Sequence, residues 1–199
     1  MKTLTLSRSL TYALSATLLA GSLSACKSKK KQAEATKPDP TGETEVIIPC
    51  SGPEFFTDNK VFRANAFGES MDQATAKKKA MSNARADLAA AINTRVKSVI
   101  DNYVNSREMQ NREEIGERYE ALSREVVDQQ LTGTKTLCEK TMRVNATGNY
   151  KTYVAIELSA QELLAAYNSR LSSDERLRVD YDYEKFKETF EKEMERMKK

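Results

Sequence analysis

The apolar positions of this chain change their spacing along the sequence, and each spacing predicts a different element. Between Lys60 and Phe67 the residues Phe62, Ala64 and Ala66 occupy every second position, which predicts a strand. Beyond residue 70 the spacing becomes three and four and is sustained, which predicts one long amphipathic helix. The apolar stripe of that helix consists of Ala80, Ala84, Leu88, Ile92, Val96, Val99 and Tyr103.

Local signals predict where these elements begin and end. Gly68 is predicted to end the first strand, and Ser70 with Gln73 resembles a capping box that starts the long helix. The polar stretch 105–111 predicts a turn into a second helix that stops at Gly133, so the two helices form a hairpin. The apolar positions of the second helix are Ile115, Tyr119, Leu122 and Val126.

After Gly133 the apolar residues occupy every second position, which predicts a pair of antiparallel strands. These strands cover 136–144 and 150–158 and are joined by a turn at Gly148. A short helix capped by Ser159 follows. The order along the chain is β-α-α-β-β-α. It predicts the α+β class, with a small antiparallel sheet of about three strands packed against long helices.

An additional C-terminal amphipathic helix is predicted for residues 173–199, after the α+β domain of residues 46–172. Its apolar face runs from Val179 to Met197, and charged residues surround it. We expect this face to pack on the sheet or on the helical hairpin, and the alternative is contact with a partner or with a second copy of the chain. The candidate interface residues are Tyr183, Phe186, Phe190 and Met194.

Residues 1–25 combine the parts of a bacterial export signal. Lys2 and Arg8 precede an apolar stretch, and Leu23-Ser-Ala-Cys26 closes it. The stretch from residue 10 to residue 25 is about 16 residues long, short of the roughly 20 that a membrane span needs. The closing residues resemble the lipobox of bacterial lipoproteins, whose cysteine is lipidated before cleavage. We therefore predict that Cys26 is acylated and becomes the first residue of the mature chain.

Residues 26–45 are predicted to be a flexible, lipid-anchored tether. They are rich in Lys, Ala and Thr, and Pro38, Pro40 and Gly42 interrupt any regular element. Lys27, rather than aspartate, follows the cysteine, which resembles lipoproteins sorted to the outer membrane. We expect a periplasm-facing location on the outer membrane, with the membrane contacted through the lipid anchor.

The composition narrows the possible functions. The 32 basic and 29 acidic residues nearly balance, so no strong positive field indicates a nucleic-acid partner. The chain has no histidine, which removes the usual general base and the commonest metal ligand. Its glycines are scattered singly, without a phosphate-binding loop. We therefore expect no catalysis, no cofactor and no metal site.

The cysteines predict a disulfide. Acylation of Cys26 leaves Cys50 and Cys138, and disulfides form and persist in the periplasm. Cys50 precedes the first predicted strand and Cys138 lies within the predicted hairpin, so both can sit at one sheet edge. The alternative is two separate buried thiols. A bridge requires the two Cα atoms to lie within about 7 Å of each other.

Four segments together resemble the twenty-kilodalton bacterial outer-membrane lipoprotein family (Lpp-twenty-like). They are 62–80, 83–92, 131–133 and 150–157. In that family a strand is followed by a helix of the form A-x-x-x-A-x-x-x-A-R-x-x-L, and a strand of the type Y-x-x-Y-V-A closes the pattern. A similar fold is known in the N-terminal domain of a flagellar-assembly protein. The resemblance implies an outer-membrane lipoprotein without established catalysis.

Two function classes stay open at this point. The first is a non-enzymatic, lipid-anchored envelope module that contacts another envelope protein or peptidoglycan, with a homo-oligomer as a further option. The second is a binder of a small ligand in a cleft between sheet and helices. The sequence lacks tryptophan, histidine and a convergent polar cluster, which favours the first class.

Overall fold

The alternating segments pair into one antiparallel sheet, and the long helix lies across one of its faces. The computed structural model describes Gly42, residues 46–107 and residues 111–198. The predicted export signal and Cys26 lie outside these residues, as does all of the predicted tether except Gly42. The main elements in chain order are β1 (Val61–Ser70), α1 (Gln73–Asn105), α2 (Arg112–Gln130), β2 (Lys135–Arg143), β3 (Tyr150–Ser159), α3 (Ala160–Ser173) and α4 (Tyr183–Glu195). The predicted α+β class is confirmed.

The central strand is β3, because the strand order is β1-β3-β2. Both neighbours pair with β3 in the antiparallel sense, and Tyr153 stands between Phe67 of β1 and Lys140 of β2. A register shift between Thr136 and Cys138 changes which face the residues of β2 occupy. Every second residue of β3 from Thr152 onward lies on the face toward α1, where these residues are buried: Thr152, Val154, Ile156 and Leu158.

The junction between β1 and α1 differs from the predicted one. β1 continues through Gly68 to Ser70, so Ser70 belongs to the strand rather than to a capping box. The helix cap is Asp72, whose carboxylate accepts a hydrogen bond of 2.7 Å from the backbone N–H of Thr75. The predicted cap was wrong because an aspartate two residues further on offers the same acceptor to the first helical turn.

Gly68 continues the strand because the backbone of α1 passes directly over it. It pairs with Thr152 of the central strand β3. A Cβ atom at this position would lie 2.5 Å from both the Ala76 carbonyl oxygen and the Ala80 amide nitrogen. Ala76 and Ala80 are themselves fully buried. Small residues on both elements therefore allow strand and helix to make backbone contact.

We expect Gly68→Ala to lower the free energy of unfolding by about 1 to 3 kcal/mol, because the added methyl group overpacks a rigid backbone contact. Gly116→Ala is the matched control. Gly116 lies within α2, and a Cβ there meets nothing within 4 Å, so the same change is expected to stabilise the chain by up to about 1 kcal/mol. Urea unfolding of both variants measures the two effects. Equal effects at the two positions would contradict the close approach at Gly68.

The predicted stripe of α1 is confirmed as the centre of the core. All seven of its predicted apolar residues, from Ala80 to Tyr103, are buried. The first turns of α1 lie against β1 at Gly68, and α2 packs on α1 through Tyr119, Leu122 and Val126, with the Tyr119 ring 5.7 Å from that of Tyr103. No helix among the described residues is both long and apolar enough to cross a bilayer.

The C-terminal helix is shorter than predicted. Residues 174–182 form turns instead of its first part, and α4 begins at Tyr183 behind the cap Asp182. Asp174 holds the turn, since its carboxylate accepts hydrogen bonds from the backbone N–H groups of Arg176 and Leu177. The Arg118 guanidinium lies 2.6 Å from the same carboxylate. Together these groups hold the pKa of Asp174 below its ordinary value, with Arg118 as the largest cause.

The apolar face of α4 packs inside the domain, which corrects the interface alternative. Phe186, Phe190 and Met194 are buried in the same core as α1. The ring of Phe186 lies 5.4 Å from that of Tyr103, edge to face. Three of the four candidate interface residues are therefore unavailable to a partner, because closing the core requires them. Tyr183, the fourth, is half-buried.

Candidate interaction face of the sheet

The sheet has a second face, opposite α1, which we call the open face. Because strand residues alternate between faces, the register assigns the members of this face. The large apolar residues Phe67 and Met142 remain 50% and 48% exposed there. The open face consists of Arg63, Asn65, Phe67 and Glu69 of β1, Lys151, Tyr153, Ala155 and Glu157 of β3, and Lys135, Cys138, Lys140 and Met142 of β2.

A disulfide joins Cys50 to Cys138 on the open face. The two Cα atoms are 5.5 Å apart, within the distance required of the predicted bridge. Ala155 stands opposite Cys138 in the register and is fully buried although it faces away from α1. We infer that the bridged segment shields it. The bridge therefore fastens the chain before β1 to the opposite edge of the sheet.

Polar contacts to Arg63 hold the other end of the same segment. The Arg63 guanidinium donates to the Phe56 carbonyl oxygen at 2.9 Å and contacts the carboxylates of Asp58 and Glu157. The backbone N–H of Arg63 donates to the Thr57 hydroxyl, which in turn donates to the Arg63 carbonyl oxygen. Residues 50–58 thus run across the open face from the edge at β2 to the edge at β1.

The rest of the open face forms a surface that we call the apolar-cationic patch. It consists of Phe67, Lys140, Met142, Lys151 and Tyr153, and Glu69 lies at its edge opposite Lys151. The Lys151 ammonium lies 4.2 Å from the centroid of the Phe67 ring and 5.6 Å from that of Tyr153, in cation–π geometry. The aromatic rings are 6.0 Å apart. The patch offers apolar surface and positive charge side by side.

A buried carboxylate, that of Glu193, is occupied by structural contacts. The carboxylate of Glu193 is buried between α1 and α4, where Arg95, Asn102 and Arg196 contact it. In residues 46–107 and 111–198 no group of three or more potential ligands among His, Cys, Asp and Glu could hold a metal ion. The buried carboxylate therefore joins two helices.

The surface also carries an open depression of about 450 Å³. It lies between α1 and the end of α2, and helix residues supply most of its walls. This position differs from the predicted ligand cleft between sheet and helices. The lining residues are Arg85, Ala86, Ala89, Asp128, Leu131 and Thr132.

Sequence reasoning identified the cysteine pair and missed the apolar-cationic patch. The alternation of Cys138, Lys140 and Met142 was visible as a strand, but it did not show which face those residues occupy. Only the register with β3 brings Lys140 beside Tyr153 and Phe67. The signal available in the sequence was the presence of a lysine among apolar positions of that strand.

Comparison with models of protein families, with curated proteins and with solved structures gives no match for this chain. The resemblance to the twenty-kilodalton lipoprotein family therefore stays a prediction.

Proposed function

We propose that this chain is a non-enzymatic, lipid-anchored module of the bacterial cell envelope. It contacts an envelope protein or peptidoglycan from the periplasmic side of the outer membrane. The observation that carries this proposal is the pairing of Cys50 with Cys138. The pairing leaves Cys26, which follows Leu-Ser-Ala, as the one cysteine of the sequence outside the bridge.

The bridge and the N-terminal sequence support the same compartment. Disulfides form and persist in the periplasm, whereas they are rare in the cytosol. A basic and then apolar leader directs export to that compartment. The two features are independent, since the leader lies in residues 1–25 and the bridge lies within the folded domain.

The open face supports a role in binding rather than in catalysis. Its exposed groups include apolar, aromatic and cationic side chains, and the sequence has no histidine to act as a base at neutral pH. Exposed apolar surface next to charge is typical of a surface that meets another molecule.

The experiment that tests the proposal is metabolic labelling with an alkyne fatty acid. We expect Cys26→Ala to abolish labelling and to leave an unprocessed or soluble precursor. The matched control is the double variant Cys50→Ser with Cys138→Ser, which removes the other two thiols and is expected to keep the label. Continued labelling of the Cys26→Ala variant would contradict the lipid anchor.

A further inference from the structure

We propose that the apolar-cationic patch docks onto the anionic lipid surface to which Cys26 anchors the chain. This inference rests on the proposed function, because the proposed lipid anchor at Cys26 is what places the domain next to a bilayer. It adds a second membrane contact, made by the folded domain itself and independent of the acyl chains.

The chemistry of the patch matches a membrane interface. Phe67 and Met142 present exposed apolar side chains that can enter the boundary between headgroups and acyl chains. Lys140 is exposed in the same row of the sheet as Phe67, and Lys151 stands between Met142 and Glu69. The Glu69 carboxylate accepts a hydrogen bond of 3.0 Å from the Asn149 side chain. Neither lysine forms an ion pair among the described residues. Both ammonium groups are therefore available to anionic headgroups.

The chain enters the domain on the same side as the patch. Cys50 is bonded to Cys138, two positions from Lys140 on the open face. Val46 precedes Cys50 by four residues, so it lies within about 14 Å of that bridge. The residues in between add apolar surface at this point, because Val46, Ile47 and Ile48 are all exposed.

The length of chain before Val46 keeps the membrane within reach. About 20 residues separate Cys26 from Val46, and the flexible tether predicted for this stretch would have a root-mean-square span of roughly 25 Å. An acyl anchor at Cys26 thus holds the domain close to its own bilayer, where the local concentration of lipid surface is high. Because the local concentration of lipid is high, even a patch with low affinity for the membrane is sufficient for docking.

A second copy of the chain fits the patch less well. In a two-fold contact the same surface meets itself. The patch carries Lys140 and Lys151 against the one carboxylate of Glu69 at its edge, so two copies would bring like charges together, which is unfavourable. Anionic lipid instead complements both lysines.

The absence of tryptophan from the sequence gives a direct test. Phe67→Trp introduces a single tryptophan into the patch, and Val179→Trp introduces one at an exposed apolar position in the turn before α4. Both are placed in residues 26–199 carrying Cys26→Ala, so that no acyl chain contributes to binding. The probes are vesicles of phosphatidylethanolamine with phosphatidylglycerol, and vesicles of phosphatidylcholine alone.

With the anionic vesicles we expect the Phe67→Trp emission to shift to shorter wavelength and to be quenched by brominated lipid. The Val179→Trp emission is expected to stay unchanged. Lys140→Gln and Lys151→Gln are each expected to weaken vesicle binding by about fivefold.

Three results would overturn the docking proposal. They are an unchanged Phe67→Trp emission, an equal response from Val179→Trp, and a concentration-dependent self-association that Phe67→Ser abolishes. The last result would assign the patch to a second copy. Because this experiment uses a chain without acylation, its failure leaves the fatty-acid labelling of Cys26 unaffected. The two proposals can therefore fail separately.

Discussion

Loss of the Cys50–Cys138 bridge is expected to lower the free energy of unfolding by about 4 to 5 kcal/mol. The bridge joins residues 88 positions apart, and in the chain-entropy model a loop of that length restricts the unfolded state by this amount. The measurement is urea unfolding of residues 26–199 carrying Cys26→Ala, compared with the same chain carrying Cys50→Ser and Cys138→Ser.

Reduction supplies the control for this prediction. A thiol reductant should lower the stability of the bridged chain to that of the double variant, and it should leave the double variant unchanged. A bridged chain whose unfolding midpoint does not respond to reductant would contradict the structural role of the bridge. Two thiols titrated in the unreduced, denatured protein would contradict the bond itself.

Truncation of Phe186 to alanine is expected to lower the free energy of unfolding by about 3 to 5 kcal/mol. Its side chain is fully buried and packs against Tyr103, Tyr167 and Tyr181. These residues come from α1, from α3 and from the turn before α4, so the deletion opens a cavity where three parts of the chain meet. Thermal and urea unfolding both measure the loss.

Val179→Ala is the matched control for Phe186→Ala. Val179 belongs to the same C-terminal region but is 81% exposed. Its truncation is expected to change stability by no more than about 0.5 kcal/mol. Full stability of the Phe186→Ala variant, together with loss of self-association or of a captured partner, would return this face to the role of an interface.

Regular spacing made the long elements predictable. The stripe of α1 repeats at helical spacing over many turns, and a single buried face accounts for it. The predicted residues of β3 from Thr152 to Leu158 are likewise buried on one face. In both elements one face is buried along the whole length, so the apolar residues repeat regularly and can be recognised in the sequence.

Element boundaries were less predictable, because several local signals compete there. Ser70, Asp72 and Gly68 lie within five residues, and each is typical of a strand end or a helix start. Contact with α1 keeps Gly68 in the strand, and this contact is not visible in local sequence. At the other end, the hydrogen bonds of Asp174 form turns where the apolar spacing alone predicted helix.

In the candidate site, too, one feature could be predicted from the sequence and another could not. The cysteine pair followed from counting thiols and from the expected compartment, which need no coordinates. The apolar-cationic patch depends on the register that places Lys140, Tyr153 and Phe67 in one row. Such a row is a property of three strands together, and no single segment of the sequence contains it.

The bridge also determines how the domain bears mechanical load. A pull on the chain before Cys50 passes through the covalent bond to Cys138 and so reaches β2 directly. Residues 51–137, which include β1, α1 and α2, lie outside that covalent path. Tension between Cys50 and the C-terminus therefore cannot extend residues 51–137, because the bridge carries the covalent path past them.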